Sequence, residues 1–195
     1  LVNRWLMPLL KTFSEHHSMI DIEMVTDLAL LYEKQSGFDV GILFGDGQWP
    51  GFKAEQVMAE HLLAVCVPEL LQTADGQALE RRDALGVLPL LHQRSALSAS
   101  ELWWRTLGAS ESEIAEMPGQ RFETFPTLKE AALQGLGVAI LPAYFVASEL
   151  AAGTLVEACK EGMACEQAYY LVMPSSNSNK AARAFYESLL SQANN

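Results

Sequence analysis

The residue types that most often carry out catalysis are few in this chain, and their spacing is unsuitable for it. A hydrolase needs a nucleophile beside a base that a third group orients. The sequence contains neither a Gly-x-Ser-x-Gly elbow nor a cysteine in a reactive setting. Cys159 and Cys165 lie six positions apart without a second pair, which no common zinc motif matches. The chain also contains four histidines, of which two are adjacent: His16, His17, His61 and His92. We therefore predict neither an enzyme nor a metal site.

Two glycine pairs have part of the pattern of a phosphate loop. Gly45-Asp46-Gly47 and Gly135-Leu136-Gly137 both lack the third glycine and the helix start of a dinucleotide-binding loop. The first pattern fits a tight turn, and the second fits the end of a helix followed by a strand. The sequence therefore predicts no nucleotide cofactor, and no other cofactor is expected.

One helix start has the features of an anion site. Thr127 and Glu130 have the spacing of a capping box, with Thr127 as the N-cap, after Phe125 and Pro126. Free N–H groups in the first turn of a helix can receive a carboxylate, with about 0.3–1 kcal/mol from the helix dipole. The same pattern is also typical of helix starts that bind nothing, and both interpretations stay open.

The elements that would position these residues alternate between strands and helices. Apolar spacing predicts a helix over residues 1–13, in which Pro8 tightens or kinks the turn, and strands over 20–24, 38–44 and 57–67. A polar, turn-rich segment at 73–77 separates these from a second set, including a helix over 98–107, a strand over 137–141 and a final helix over 180–193. Trp103 and Trp104 are expected to lie one buried and one half-buried. The alternation predicts an α/β fold with largely parallel strand pairing.

Composition excludes several classes of function. The chain has 195 residues, 50% of them apolar, and 13 Lys+Arg against 24 Asp+Glu give a formal charge of −11. The high apolar content excludes disorder, and the negative charge disfavours a surface that binds nucleic acid or an anionic membrane. The three cysteines are too few for a disulfide scaffold and fit a reducing compartment, and Cys66 fits a small core residue. The chain begins at Leu1 without a signal peptide, so we expect a cytoplasmic segment cut from something longer.

A series of motifs resembles the effector-binding domain of LysR-type transcriptional regulators, in particular the glycine-cleavage-activator-like subgroup. The resemblance covers essentially the whole chain. The matching segments occur in the family's order: residues 4–10 with Phe13, 39–47 with 49–51, 64–71, 130–142 and 169–172.

The resemblance implies two Rossmann-like lobes joined by two crossing strands, which is the type 2 periplasmic-binding-protein architecture. Residues 1–67 with 172–195 would form regulatory lobe I, and residues 68–171 would form regulatory lobe II. It implies a small effector between the lobes, a homodimer or tetramer, and DNA contact only through a winged helix-turn-helix that is missing here. The apolar opening helix, with Trp5 and Met7, suits such a dimer contact.

The resemblance also implies a set of ligand-binding residues and a ligand class. The family's cleft positions correspond to Phe44, Gly45 and Asp46 on one lobe and to Thr124, Phe125 and Thr127 on the other, with Tyr169 near the hinge. An amino acid or small carboxylate is the expected ligand. Asp46 could hold a ligand amine or simply close its turn, and Arg94 could pair a ligand carboxylate or be solvated.

Two functions other than a regulator are compatible with this architecture. A free-standing solute-binding protein of a transport system would share the shape but would need a signal sequence upstream. An enzyme on this fold would need a convergent acid–base set, and the sequence shows none.

Overall fold

The computed structural model of the chain describes residues 5–25, 37–72, 88–94, 99–106, 108–160 and 162–193. The chain divides into two compact units. Unit 1 consists of Leu1–Glu60 and Cys165–Asn195, and unit 2 consists of His61–Ala164. The chain therefore passes from one unit to the other twice. The predicted α/β class, with two lobes joined by two crossing strands, is confirmed.

Unit 1 combines two helices with an antiparallel strand pair. Its elements are α1 (Met7–His16), β1 (Gly41–Gly45), the first part of β2 (Phe52–Cys66), the second part of β7 (Met163–Pro174) and α7 (Lys180–Ala193). Strand β1 pairs with β7 from Gly41 opposite Val172 to Gly45 opposite Ala168. The core buries Leu6, Leu171, Tyr186 and Leu189, so both helices pack their apolar stripes on the strands.

Helix α1 begins at Met7, one residue before the proline of the predicted helix. Pro8 lies in the first turn, where its missing N–H would have no helical partner in any case. The helix ends at His16, and the His17 N–H donates to the Phe13 carbonyl at 2.9 Å. Phe13 is buried, as the apolar spacing predicts, whereas Met7 is 41% exposed. Residues 1–4 of the predicted helix lie outside the described residues.

The predicted strand over residues 20–24 is wrong. Residues 20–25 form no regular element, and the side chains of Met24 and Val25 are exposed. The alternating pattern is present in the sequence, but a strand is stable only with a neighbour that accepts its backbone hydrogen bonds. Among the described strands of unit 1, β1 is paired with β7, and none pairs with this segment.

Unit 2 is a mixed sheet covered by helices. Its helices are α2 (Pro68–Gln72), α3 (Ala99–Thr106), α4 (Glu111–Glu116), α5 (Phe125–Leu133) and α6 (Ala143–Ala152). Its strands, beside the ends of β2 and β7, are β3 (Leu90–Gln93), β4 (Gln120–Phe122), β5 (Val138–Pro142) and β6 (Val156–Glu157). Both pairings of β3, with β4 and β5, are parallel, whereas β2 pairs antiparallel with β5 and β6.

The predicted predominance of parallel pairing is therefore wrong for the sheet as a whole. Among the strand pairings given by the described residues, those of β3 with β4 and β5 are parallel, because these strands are linked through helices and such a crossover returns the chain in the same direction. Strand β2 enters unit 2 in the opposite direction. The turn-rich segment at 73–77 and the helix expected over 78–85 lie outside the described residues.

The core of unit 2 lies between α5 and strand β5. All five residues of β5 are buried, and α5 packs Leu128, Ala131 and Ala132 against it. Gly135 ends the helix with a φ of 73°, which confirms the predicted helix end before a strand. A side chain at Gly137 would collide with the Pro89 carbonyl oxygen, so this approach of two backbones requires glycine.

Cys66 and the tryptophan pair test the expected core. Cys66 is fully buried, as predicted, and burial raises the pKa of its thiol to about 11. The expectation of a half-buried tryptophan is wrong, because Trp103 is 0% and Trp104 is 6% exposed. Helix α3 contacts β3 and β5 and also α4, so two adjacent positions on it are both covered.

Among the described helices, none is both long and apolar enough to cross a membrane.

A partly buried ion pair joins α5 to α6. Lys129 Nζ lies 2.6 Å from Glu149 Oε1, and the two side chains are 18% and 16% exposed. Lys129 also lies over the Phe145 ring, 4.7 Å from its centroid. Burial alone would raise the pKa of Glu149, but hydrogen bonds from Lys129 and Ser148 outweigh it and lower the pKa to about 2.

We expect Lys129→Met to lower the free energy of unfolding by about 1–3 kcal/mol at neutral pH, because it leaves Glu149 without its cation. The folded pKa of about 2 lies below the ordinary value of 4.5, so the pair contributes fully above about pH 4.5. The difference between the variant and the parent should then shrink as pH falls toward 2. Urea unfolding across this pH range measures it.

Arg105→Met is the matched control, because Arg105 is exposed and its ion pairs with Glu101 and Glu111 lie at the surface, where such pairs contribute little. Equal losses in the two variants, or a difference that does not change with pH, would contradict the assignment.

Candidate functional site

The four predicted residues of unit 1 lie at one end of the β1–β7 pair. Phe44 lies directly opposite Tyr169 in the strand register, and their ring centroids are 5.0 Å apart. Phe44 is 40% exposed, although it is a large apolar side chain on a strand. Gly45 is buried and can offer only its backbone. The structure therefore brings an accessible aromatic pair to the end of β1.

Asp46 closes its turn, which is one of the two roles expected for it. Its Oδ1 accepts a hydrogen bond of 2.9 Å from the Gln48 N–H, which closes the turn after β1. The side chain is exposed, so its other oxygen remains on the surface. Asp46 can thus hold the turn and still face a ligand amine.

Two aromatic residues that were not predicted as site residues support this turn. A side chain at Gly45 would meet the Trp49 ring at 2.8 Å, and one at Gly47 would meet the Tyr170 ring at 2.7 Å. Trp49 and Tyr170 pack edge to face, with centroids 5.6 Å apart. The sequence signal for this packing was the presence of Gly45 and Gly47 within four residues of Trp49. The Trp49 and Tyr170 rings occupy the space that a Cβ at either glycine would fill.

In unit 2, the predicted helix start is displaced by three residues. Helix α5 begins at Phe125, and Thr124 is the N-cap, with extended backbone angles of −125° and 151°. Its Oγ1 accepts from the Thr127 N–H at 3.4 Å. The prediction that Thr127 is the N-cap is therefore wrong. Proline fits the first turn because it needs no N–H partner there, so Pro126 lies inside the helix.

The predicted capping box with Glu130 is also absent. Glu130 Oε1 instead accepts from Gln134 Nε2 at 2.9 Å. The hydroxyl of Thr127 donates to the Thr124 carbonyl at 2.9 Å and lies 3.0 Å from the Thr124 hydroxyl. Since Pro126 supplies no N–H, the donors at this helix start are mainly two neighbouring exposed hydroxyls.

Phe125 and Arg94 complete this group in different ways. The Phe125 ring is half-buried and packs on Phe145, with centroids 6.0 Å apart, so it anchors the helix start to the core. The Arg94 N–H donates to the Phe122 carbonyl at 2.6 Å, and its side chain is exposed. Parallel strands β3 and β4 end at the same edge of the sheet. Arg94 and Thr124 therefore follow neighbouring strand ends, a common position for ligand contacts in α/β folds.

The predicted site residues carry groups that can bind a small ligand. In the described part of the chain, no three His, Cys, Asp or Glu side chains group as metal ligands would. His92, on β3 near Arg94, is buried, with its Nε2 3.1 Å from the Pro118 carbonyl oxygen. Burial lowers the pKa of His92, and the nearby Arg121 charge lowers it further. The site residues offer hydroxyls, a guanidinium, a carboxylate and aromatic faces.

Comparison with known families gives one match over nearly the whole chain. The family model described as "LysR substrate binding domain" matches residues 1–194. The glycine cleavage system transcriptional activator of Escherichia coli K12 is 30% identical over 190 residues, which cover 97% of this chain and 61% of the relative. The AhcY transcriptional activator HvrB of Rhodobacter capsulatus is 28% identical over 98% of this chain and 63% of its own. The chain thus spans less than two thirds of these relatives.

Solved structures of similar shape agree with these matches. The effector domain of the transcriptional regulator AmpR of Pseudomonas aeruginosa has a TM-score of 0.74 at 28% identity, and the match covers 99% of this chain and 90% of that one. The full-length virulence activator AphB of Vibrio cholerae has a TM-score of 0.77 at 16% identity, covering 99% of this chain and 65% of that one. The second match supports the fold alone.

The N-cap assignment predicts different costs for two threonines. Thr124→Val removes the cap acceptor and should lower the free energy of unfolding by about 0.5–1 kcal/mol, whereas Thr124→Ser keeps the oxygen and should cost less. Thr127→Val serves as the control, because it keeps the backbone N–H at position 127 that donates to the Thr124 hydroxyl. Chemical unfolding followed by circular dichroism measures all three, and a Thr124→Ser variant as unstable as Thr124→Val would contradict the assignment.

Proposed function

Because the chain belongs to the LysR substrate-binding domain family, we propose that it is the effector-sensing part of a transcriptional regulator. The observation in the structure that supports this most is the group at the strand ends of unit 2. There Arg94 and the hydroxyls of Thr124 and Thr127 offer charge and hydrogen-bond donors to a small ligand.

The donor chemistry favours an amino acid or a small carboxylate. A guanidinium and two hydroxyls bind carboxylate oxygens well, and hydrogen bonds to a charged group are roughly twice as strong as neutral ones. In unit 1 the free oxygen of Asp46 would receive a ligand amine, and the Phe44–Tyr169 pair would contact its carbon skeleton. We propose that all eight predicted residues contribute, Gly45 and Phe125 by shaping their segments.

The proposed output is a shift between conformational states. A ligand changes such an equilibrium only by the difference in its affinity for the two states. Moving a balance from 1:99 to 99:1 takes about 5.5 kcal/mol, so a weak ligand shifts populations in part. The two regulatory lobes, 1–67 with 172–195 and 68–171, stay predictions in this role.

DNA contact, assembly and location belong to the whole regulator. With a formal charge of −11, this chain is a poor match for a phosphate backbone, so a separate basic domain would contact DNA. We propose a homodimer or tetramer in the cytoplasm, where such a regulator meets its promoter. The matched relatives are named as transcriptional activators. They favour a regulator over the transport alternative and give no support for an enzyme.

Calorimetric titration with amino acids and short carboxylates tests the ligand site. We expect Thr127→Ala to weaken binding about tenfold, because it removes a hydroxyl whose proton can turn from the Thr124 carbonyl to a charged ligand group. Asp46→Asn keeps the hydrogen bond that closes the turn but loses the charge. It should therefore weaken the binding only of ligands that carry an amine. Asp46→Ala removes both.

Two controls separate binding from folding. Thr127→Ser should restore the affinity, and Thr106→Ala, an exposed threonine on α3, should leave it unchanged. Binding that is unaltered in both Thr127→Ala and Asp46→Ala would remove these residues from the site.

The dimer has its own test on the exposed side of α1. We expect light scattering to give twice the chain mass of 21.4 kDa, and Met7→Asp to shift it to the monomer by placing a charge in the apolar contact. Met19→Asp is the control, since Met19 is 94% exposed and lies after the helix. A monomeric parent chain at high concentration would contradict this contact.

A further inference from the structure

A cavity of about 400 Å³ lies within unit 1, where the start of β2, the end of β7 and helix α7 meet. Its lining includes two cations, one carboxylate, a hydroxyl and an apolar floor: Lys53, Arg183, Glu187, Ser175, Met173 and Tyr186. None of the eight residues predicted for the effector site lines it. Its chemistry is therefore independent of that site.

Arg183 supplies the principal anion-binding group. One Nη of its guanidinium donates to the Asn177 carbonyl at 3.0 Å, which fixes the side chain against the loop after β7. Within the described part of the chain, no carboxylate oxygen lies within 4.0 Å of this guanidinium. Its remaining N–H groups are arranged to bind a carboxylate in a bidentate manner.

Lys53, on strand β2, supplies the second cation of the lining. Its Nζ lies over the Tyr186 ring, 5.1 Å from the centroid, and 3.7 Å from Glu55 Oε1. The Lys53–Glu55 pair is long and exposed, so it leaves the ammonium group available to a ligand. Lys53 and Arg183 belong to different elements, β2 and α7, and both line the cavity.

The floor of the cavity is apolar and uncharged. Tyr186 is 1% exposed, and its hydroxyl donates to the Leu171 carbonyl at 3.4 Å. Burial and then the Glu55 charge raise the pKa of Tyr186 to about 12, so the phenol stays neutral. Met173 is half-buried beside it. Because Tyr186 is almost fully covered, Met173 offers the apolar contact of this floor to a hydrocarbon body whose charged end meets the two cations.

The wall that carries Ser175 is held in place by hydrogen bonds. The Ser175 N–H donates to the Gly51 carbonyl at 2.8 Å. The side-chain amide of Asn177 donates to the Asp39 carbonyl at 3.2 Å and to its Oδ1 at 3.1 Å. A pocket that is ordered before binding loses less entropy when a ligand enters.

We propose that unit 1 has a second ligand site, for a small monocarboxylate with a compact apolar body. Two cations against Glu187 leave one net positive charge on the lining, which matches a monoanion better than a dianion. The cavity is at the small end of ligand pockets, which run from about 300 to 1,000 Å³. The site extends the proposed function by giving the domain a second input, and it holds whether or not the first site is correct.

The test uses 3-phenylpropanoate as the probe, by calorimetry on the whole chain. Lys53→Gln and Arg183→Gln should each weaken binding about tenfold, because each removes a charged donor. Arg183→Lys should keep part of the affinity. Lys180→Gln is the matched control, since it makes the same charge change on the same helix outside the cavity and should bind as the parent does.

Three further arms locate the binding and separate this proposal from the effector site. The neutral alcohol 3-phenylpropan-1-ol should bind at least tenfold more weakly, because it lacks the charge. Thr127→Ala should leave 3-phenylpropanoate binding unchanged, and backbone amide shifts should move around residues 53, 175 and 183. Absence of binding to the parent at millimolar concentration, or binding that is lost in Thr127→Ala and kept in Arg183→Gln, would overturn the proposal.

Discussion

The packing of α5 on strand β5 is the constraint on which the site in unit 2 depends. Leu128 and Ala132 are completely buried, and small residues on this face let the helix approach the strand closely. Full burial of a leucine side chain is worth about 1.5–3 kcal/mol, more than most single polar contacts on a surface. The apolar face therefore determines how the helix lies. The polar start of the helix, with Thr124 and Thr127, is exposed at the sheet edge as a consequence.

A different constraint shapes the end of β1 in unit 1. Close packing of Trp49 and Tyr170 leaves no room for a Cβ at Gly45 or Gly47. Because side chains alternate along a strand, Phe44 points to the opposite face from Gly45. Its partner there is Tyr169, through the pairing of β1 with β7. The glycines thus hold an aromatic surface in place without touching a ligand themselves.

Electrostatics gives the few cations of this chain their importance. An excess of 24 acidic over 13 basic side chains repels anions in general, so an anion binds only where cations and donors are concentrated. The neighbouring strand ends that Arg94 and Thr124 follow are one proposed place of this kind, and the cavity lined by Lys53 and Arg183 is another. We propose that two local sites of this kind would discriminate among anions by shape and single charge rather than by attraction at a distance.

Much of the fold was predictable from local signals. The α/β class, Cys66 as a core residue and the glycine that ends α5 all depend on neighbours in sequence and on apolar content. The family resemblance was read from motifs of contiguous residues, and the matched family confirms it. Residues 44–46 were also expected at a strand end and turn, which is where they lie.

Other features were decided only by tertiary structure. The alternating residues 20–24 form no strand, since strand formation needs a partner that no local pattern specifies. Thr124 instead of Thr127 caps α5, because Pro126 fits inside the first turn and both threonines satisfy the same local rule. Phe44 meets Tyr169, and Lys53 shares a cavity with Arg183, across long stretches of chain.

The sequence by itself determined which residues are apolar, stiff or able to cap, because those are properties of single residues and their neighbours. Only the folded chain decided which of them meet, because strand register and helix packing are set by the burial of whole faces at once.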